Sequence, residues 1–416
     1  VKGLWHKDEF MRLLKAKISG HFVVKNSGWF ELSKNVTIFS GDPGNGKTTL
    51  LRALRSLNPP DCDNNPAPFD AFPQYIQKEN YKRKVLPYKK TAVLGIFVCD
   101  SNLRRKLTEV DKIFLKTDRI EIGRRLNDSR WTIFVEIATS TRWSELIVDM
   151  QQLIQGVTQP GNEQERDEIA DICRSLKPTD RIKEKIAEKL NTYLDSVETH
   201  IEKNLKDVFT RARYKVNRPN RYKEARAVVA DNMPVLIHVS KKDLLGDRIP
   251  MHEDGHQENT SQVLKLSCVH YCLLQLHKKK TKNWANNISR KIQQYTGERI
   301  VISKKHEDGE IKIGWRKSDD QQEAIGKLPK YIQWVISCII LLEYYQTQEN
   351  KTLLLLLDEP DESMNQDQQK RFFHCIGQLA DRTQMIVASA RQYAEVADCK
   401  CHTLTVENEQ AGVVVI

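Results

Sequence analysis

The segment Asn35 to Leu54, "NVTIFSGDPGNGKTTLLRAL", constrains the fold more than any other stretch of the chain. Val36, Thr37, Ile38 and Phe39 make a short β-branched and aromatic run that reads as a strand. Leu50, Leu51, Ala53 and Leu54 follow at helical spacing and read as the buried face of a helix. Between them lie Gly41, Asp42, Pro43, Gly44, Asn45, Gly46, Lys47, Thr48 and Thr49, which satisfy the pattern GxxxxGK[ST]. Glycines there let the backbone wrap around phosphate with its N–H groups inward, while the new helix presents the positive end of its dipole. Pattern and strand–loop–helix context agree, so the spacing predicts a nucleotide site. Lys47 is expected to reach the β- and γ-phosphates of ATP, and Thr48 to hold Mg2+.

Such a loop needs an acidic second half, and "LLLLLDEP" supplies it. Leu353–Leu357 reads as a fully buried parallel strand, and strands of that kind carry functional groups at their carboxyl ends. Carboxylates are costly to bury unless an opposite charge is near. Lys47 and the metal provide that charge. Asp358 is expected to hold Mg2+ through its water shell, and Glu359 to polarise the attacking water.

At 416 residues the chain is long for one core, so one large domain with an insertion, or two domains, is expected. The apolar runs 335–342 and 353–357 are too short to cross a bilayer, and "VKGLWHKDEF" has no apolar signal region. No membrane partner and a cytoplasmic location are expected. Nine cysteines without paired spacing fit a reducing compartment. Two clusters, Cys268/His270/Cys272 and Cys399/Cys401/His402, read as buried or incidental thiols rather than metal sites. The net charge of +11 is clumped, at Tyr81–Lys90, Arg104–Lys106, Arg211–Arg226 and His277–Lys282. These runs suit a nucleic-acid surface, a solvated basic face or a docking surface for an acidic partner.

"ISGHFVVKNSGWFELSKNVTIFSGDPGNGKTTLLRAL" and "LLLLLDEPDESMNQDQQKRF" together resemble the ABC-type ATPases of the RecF, SMC and OLD clan. The resemblance implies an α/β fold: an N-terminal antiparallel lobe, a parallel central sheet and a helical insertion. It also implies that Asp361, Met364, Asn365 and Gln369 match the segment after the Asp-Glu pair. Three departures stand out. Ala390 occupies the switch-histidine position, Gln366 replaces a proline, and "LPKYIQW" falls where a signature with small residues is expected. There Pro329 and Tyr331 are the unusual residues, and a tyrosine removes the close backbone approach. Binding is therefore expected to be intact and hydrolysis slow, with Ser389, Arg391 and Lys330 as candidate phosphate contacts. No glutamine takes the clan's loop position clearly; Gln74 and Gln77 are candidates that read better as surface residues.

The expected organisation is an N-terminal lobe (1–144), a helical insertion (145–226) and a C-terminal lobe (227–416). From Asp180 as N-cap, Ile182, Ile186, Leu190, Leu194, Val197, Ile201, Leu205 and Val208 recur at intervals of three or four, which predicts one long amphipathic helix. Ala225–Ser240 reads as a strand, Thr260–His277 as a helix, and Arg299–Lys317 as a hairpin turning at Asp308-Gly309. "AGVVVI" reads as a last edge strand, with no Toprim nuclease segment after it, so an effector would act in trans. The resemblance implies a homo-oligomer closing through the ATPase face. It also implies a separate effector, such as the nucleases of prokaryotic anti-phage modules; a RecF-like DNA-repair ATPase and a scaffold without hydrolysis are the alternatives.

Overall fold

A computed structural model describes residues 10–21, 24–60, 90–126, 129–138, 140–157, 163–250, 267–278, 284–307, 310–317, 322–348, 351–391, 399–406 and 413–415. Gln74, Gln77, residues 81–89 of the first basic run, Lys279–Lys282, and residues 260–266 of the predicted helix lie outside them. The chain divides into two compact units: Val1–Ser101, Arg119–Thr132 and Asn232–Ile416 form one, Asn102–Asp118 and Ile133–Asp231 the other.

The first unit is α/β. Its central sheet has the order β15-β14-β3-β13-β12-β7. The strands are β3 (Val36–Ser40), β7 (Val235–Val239), β12 (Leu353–Asp358), β13 (Gln384–Ser389), β14 (Cys399–Val406) and β15 (Val413–Val415). All neighbours are parallel except β14 and β15. The register sets Ser389 beside Ser40 and Asp358 beside Ala388, so the carboxyl ends of β3, β13 and β12 share one edge. Leu353, Leu355 and Leu357 enter the main apolar core. Leu354 and Leu356, out of phase by one residue, face the other side of the sheet. Each of these buried leucines contributes about 2 kcal/mol.

A second, antiparallel sheet runs β2-β1-β4-β5-β6, with β1 (Arg12–His21), β2 (Val24–Glu31), β4 (Thr91–Val98), β5 (Arg119–Arg125) and β6 (Arg130–Phe134). Buried Gln384 ties it to the parallel sheet: Nε2 donates to the Leu13 and Ser33 carbonyls (2.8 and 2.7 Å), and Oε1 accepts from the Leu13 N–H. A third sheet joins β8 (Arg248–Pro250), β9 (Val301–Glu307), β10 (Glu310–Arg316) and β11 (Glu323–Ala324). β9 and β10 pair as the predicted hairpin, whose turn residues 308 and 309 lie outside the described set.

Among the described residues, five α-helices accompany these sheets. Helix α1 (Lys47–Arg55) packs on β12, β13 and β7. Helices α8 (Cys268–Lys278), α9 (Trp284–Thr296) and α11 (Gln366–Leu379) surround α10 (Lys330–Gln346), which is buried on nearly every side. No helix among the described residues is long and apolar enough to cross a membrane.

The second unit is helical: α2 (Ser101–Val110), α3 (Trp143–Gly156), α4 (Glu163–Ser175), α5 (Glu184–Val197), α6 (Lys206–Val216) and α7 (Arg218–Asn232). Its core gathers Trp143, Leu146, Met150, Leu190, Leu194 and Phe209. The expected insertion, 145–226, falls here together with 102–118 and the flanking 133–144 and 227–231.

Two expectations need correction. The long helix from Asp180 is two helices, α5 and α6, joined by short 3-10 turns at Glu198–His200 and Lys203–Leu205. Ile201 is extended between them (φ −72°, ψ 117°), and α6 turns back so that Phe209, Ala212 and Val216 share one core with Leu190 and Leu194. An apolar period survives such a turn, so periodicity alone cannot distinguish a hairpin from a rod. Asp180 caps nothing on α5, whose N-cap is Lys183; its carboxylate accepts from the Lys177 N–H instead. The strand read over Ala225–Ser240 is helical as far as Asn232, with Ala225 and Val229 buried four residues apart, and becomes β7 only at Val235.

The basic run Arg211–Arg226 is largely consumed within this unit. Six of its seven cations form ion pairs: Arg211 and Lys215 with Asp149, Arg213 with Asp195 and Glu198, Arg218 with Glu145, Arg221 with Asp111, and Lys223 with Glu184. The seventh, Arg226, lies over the Tyr222 ring at 5.1 Å.

Candidate nucleotide site

The glycine-rich bend joins β3 to α1 at the carboxyl edge of the parallel sheet. At Gly41 a Cβ would sit 2.7 Å from the Leu404 carbonyl oxygen, so β14 approaches too closely for any side chain. Gly46 caps α1 at φ 85°, a left-handed conformation that glycine adopts without strain. Asn45 pins the bend: its N–H donates to the Asp42 carbonyl (3.2 Å) and its Nδ2 to the Leu404 carbonyl (3.0 Å). Asp42, Pro43 and Gly44 are exposed on the crest, and Thr48 and Thr49 are half-buried in the first turn of the helix. That turn has no capping side chain and no acidic residue. Its N–H groups lack intrahelical partners, which suits them to an anion.

Lys47 is almost fully buried, and its ammonium meets three acceptors: the Gly41 carbonyl at 2.7 Å, the Asp42 carbonyl at 3.1 Å and Glu359 Oε1 at 3.2 Å. The Thr48 hydroxyl donates to Asp358 Oδ1 at 3.0 Å, across 310 positions of sequence. The two halves predicted from the sequence therefore touch at two points. Glu359 stands at φ 49°, left-handed for a side chain that has no conformational ease there. Such a conformation costs roughly 1–3 kcal/mol. Two backbone bonds hold it: its N–H donates to the Ala388 carbonyl (3.0 Å), and its carbonyl accepts from the Glu362 N–H (3.3 Å). The turn swings its carboxylate out of the strand and towards Lys47.

Asp358 has a partner that the sequence reading missed. His238 Nε2, on β7, lies 3.1 Å from Asp358 Oδ2. The one signal for it is a histidine inside the otherwise apolar "VLIHV".

Ser389 and Arg391 form a neighbouring cluster. Ser389, fully buried at the end of β13, donates from Oγ to Asp361 Oδ2 (2.7 Å) and accepts from the Arg391 N–H (3.0 Å). Arg391 Nη1 donates to Gln369 Oε1 (3.2 Å), and Gln369 Nε2 to the Met364 carbonyl (3.0 Å). Asn365 caps α11 by accepting from the Gln368 N–H. Ser389 and Arg391, the neighbours of Ala390, are thus wired to the segment after the Asp-Glu pair. Lys330 is not part of that wiring: it opens α10 behind Pro329, and its Nζ donates to Gln333 Oε1 at 3.2 Å. Tyr331 is buried beside it.

The Cys/His clusters do not converge. Cys272 lies in the apolar core, while His270 Nε2 accepts from the Gly246 N–H (3.1 Å) and burial lowers its pKa. Cys399 and Cys401 bring their sulfurs to 3.6 Å, but the His402 ring stacks on Phe39 and bonds the Glu31 carbonyl. Among the described residues no group of three such side chains could hold a metal ion. Thr48 and Asp358, by contrast, offer hard oxygens next to an uncapped helix start, a donor set that fits Mg2+ carried by a triphosphate.

No family model and no curated protein matches the chain. Solved structures do. The SMC head domain from Thermotoga maritima is 11% identical over 97% of this chain and 99% of its own, with a TM-score of 0.39. The Smc head domain with an extended coiled coil from Pyrococcus furiosus, bound to the C-terminal domain of ScpA, is 12% identical over 98% and 96%, with a TM-score of 0.43. The Smc head domain with a coiled coil and joint from Pyrococcus yayanosii is 11% identical over 98% and 97%, at 0.42.

Proposed function

We propose that this chain binds ATP with Mg2+ at the Lys47–Asp358 site and hydrolyses it slowly. The contact that supports the reading most is the pair of links between Thr48 and Asp358 and between Lys47 and Glu359. No structural need of the sheet requires a buried lysine, a hydroxyl and two carboxylates at one strand edge, whereas a triphosphate with its metal requires them all. When bound, Mg2+ would neutralise charge building on the β- and γ-oxygens, with Thr48 and Asp358 as its protein partners. Gly44, Asn45, Gly46 and the first turn of α1 would direct N–H groups at the phosphates, and Lys47 would exchange its carbonyl partners for phosphate oxygens. Glu359 would orient a water for in-line attack and accept its proton as the γ-phosphorus bond to the bridging oxygen breaks.

Slow turnover is proposed from two departures from the clan pattern: Ala390 offers no imidazole, and Tyr331 stands where the resemblance implies a small residue. Arg391 is the proposed substitute cation for the γ-phosphate, since it is held at the end of β13 through Ser389 and Gln369. Lys330, turned to Gln333, is the weaker candidate.

The biological role proposed is that of a nucleotide-dependent controller: a homo-oligomer closing over ATP through this face and gating a separate effector, as the clan resemblance implies. The internal pairing of Arg211–Arg226 supports this over a DNA clamp built on that run, whose cations would have to exchange carboxylates for phosphates.

The test is calorimetry with Mg-ATP on the wild type and on Glu359→Gln, with the assembly weighed with and without nucleotide. Wild type should bind with measurable heat. The variant should keep binding and lose roughly 100-fold or more in turnover, in line with removal of a general base. Absence of heat in the wild type would end the nucleotide reading. Unchanged turnover in Glu359→Gln would remove Glu359 from the chemistry.

A further inference from the structure

We infer that His238 is a positioning residue for the metal-holding carboxylate, an inference that rests on the nucleotide reading above. β7 is an apolar strand, and His238 is its one polar side chain. In the parallel register His238 lies beside Leu356. Its side chain therefore stands on the sheet face shared by Leu356 and Asp358, one side-chain period short of the strand tip. The imidazole spans that period, with Nε2 at 3.1 Å from Asp358 Oδ2. An ionised carboxylate can only accept, so Nε2 carries the hydrogen and donates.

Thr48 holds the other oxygen, Oδ1, at 3.0 Å. Asp358 is thus gripped at both oxygens by donors from two different elements, α1 and β7. With one bond the carboxylate could swing about its terminal torsion, which is broad for aspartate. With two, its plane is fixed. Side-chain exposures of 11% for His238 and 9% for Asp358 leave water little room to substitute for either bond. When the Thr48 hydroxyl turns to a metal ion, the bond from His238 remains to keep the carboxylate in place. Such outer partners of metal-holding groups characteristically govern metal affinity.

A merely structural histidine would affect stability, whereas a positioning histidine would alter how the protein uses Mg2+. The experiment is a titration of a fluorescent ATP analogue at rising Mg2+, repeated in EDTA, on wild type, His238→Ala and His238→Gln. Glutamine places its Nε2 near that of the imidazole. His238→Ala should raise the Mg2+ concentration for half-maximal binding by roughly 10–100-fold. Its affinity for the metal-free nucleotide should stay at the wild-type value, and His238→Gln should restore the Mg2+ midpoint. If the alanine variant does not fold, His238→Asn, too short to reach Oδ2, replaces it with the same expectation. An unchanged Mg2+ midpoint, an equal loss with and without metal, or no rescue by glutamine would each overturn the inference while leaving nucleotide binding intact. Absence of any Mg2+-dependent binding in the wild type would instead bring down the nucleotide reading, and this inference with it.

Discussion

The two units use charge in opposite ways. In the α/β unit, Lys47, Asp358 and Glu359 stand at the rim of an apolar sheet: Lys47 pairs with Glu359 and a main-chain carbonyl, and Asp358 accepts from Thr48 at the start of a helix. In the helical unit, cations and carboxylates are as dense but are matched side chain to side chain. Asp149, 5% exposed, accepts from Lys215 at 2.7 Å and Arg211 at 3.0 Å. The first arrangement leaves donors and acceptors that a polyvalent ligand can bridge; the second closes on itself. A run of basic letters in a sequence thus says little about surface potential until its counter-charges are located, because a helical bundle can bring acids from distant helices against it.

The largest effect should come from Lys47→Ala. It removes the one buried cation of the rim and should weaken Mg-ATP binding by roughly 100-fold or more, as the loss of charge-assisted bonds in a desolvated site would. Calorimetry checks it, and thermal unfolding of the helical unit should not move. If the variant bound ATP normally, the rim would not be a ligand site and the contrast between the units would collapse.

Asp149→Ala should produce the mirror image. Deleting a buried carboxylate strands Lys215 and Arg211. Because those partners are 25% and 55% exposed, the cost falls below that of a fully buried pair, at about 2 kcal/mol. Denaturation followed by circular dichroism should show that loss, while ATP affinity stays at the wild-type value. Acid sharpens the test. Burial pushes the Asp149 carboxyl up, but its bonds to Lys215 and Arg211 outweigh burial and hold it below the ordinary 3.8. A carboxyl lowered in the folded state stabilises above its unfolded value and loses that contribution as pH falls through the folded one. The gap between wild type and Asp149→Ala should therefore be full at neutral pH and shrink below pH 3.8. A gap that persisted in acid would assign the loss to packing rather than to charge.

How much of this was legible in the letters differs between the units for the same reason. The phosphate-loop pattern and the apolar strand ending in Asp-Glu could be read because the chemistry of a bound triphosphate fixes residue types at fixed local spacing. The hairpin over 301–316 was legible from local pattern too, whereas the antiparallel lobe was expected only from the clan resemblance. What escaped depends on tertiary register. His238 becomes meaningful only when β7 and β12 are aligned, and the left-handed Glu359 only when the Ala388 carbonyl is in place to receive its N–H. The α5–α6 reversal escaped because an apolar period continues through a turn. Ala225–Asn232 escaped because the valines that suggested a strand lie on a helix, with Val229 buried in phase with Ala225.

The smallest effect should come from Lys223→Ala, and it bears on the nucleic-acid alternative. Lys223 and Glu184 meet at 3.5 Å with side chains 71% and 63% exposed, so water and salt screen the pair. Exposed pairs of this kind contribute about 0–1 kcal/mol, so unfolding should shift by no more than about 0.5 kcal/mol. Nucleic-acid binding would give a different signature. A cation that neutralises a DNA phosphate contributes about one unit to the slope of log affinity against log salt, whatever it adds to stability. Titrating duplex DNA at several salt concentrations should therefore give the same slope for Lys223→Ala and wild type. A slope reduced by about one unit would mean that this exposed cation of the run contacts a backbone. The helical unit would then be an open basic surface after all, and its charges would work like those of the rim rather than in opposition to them.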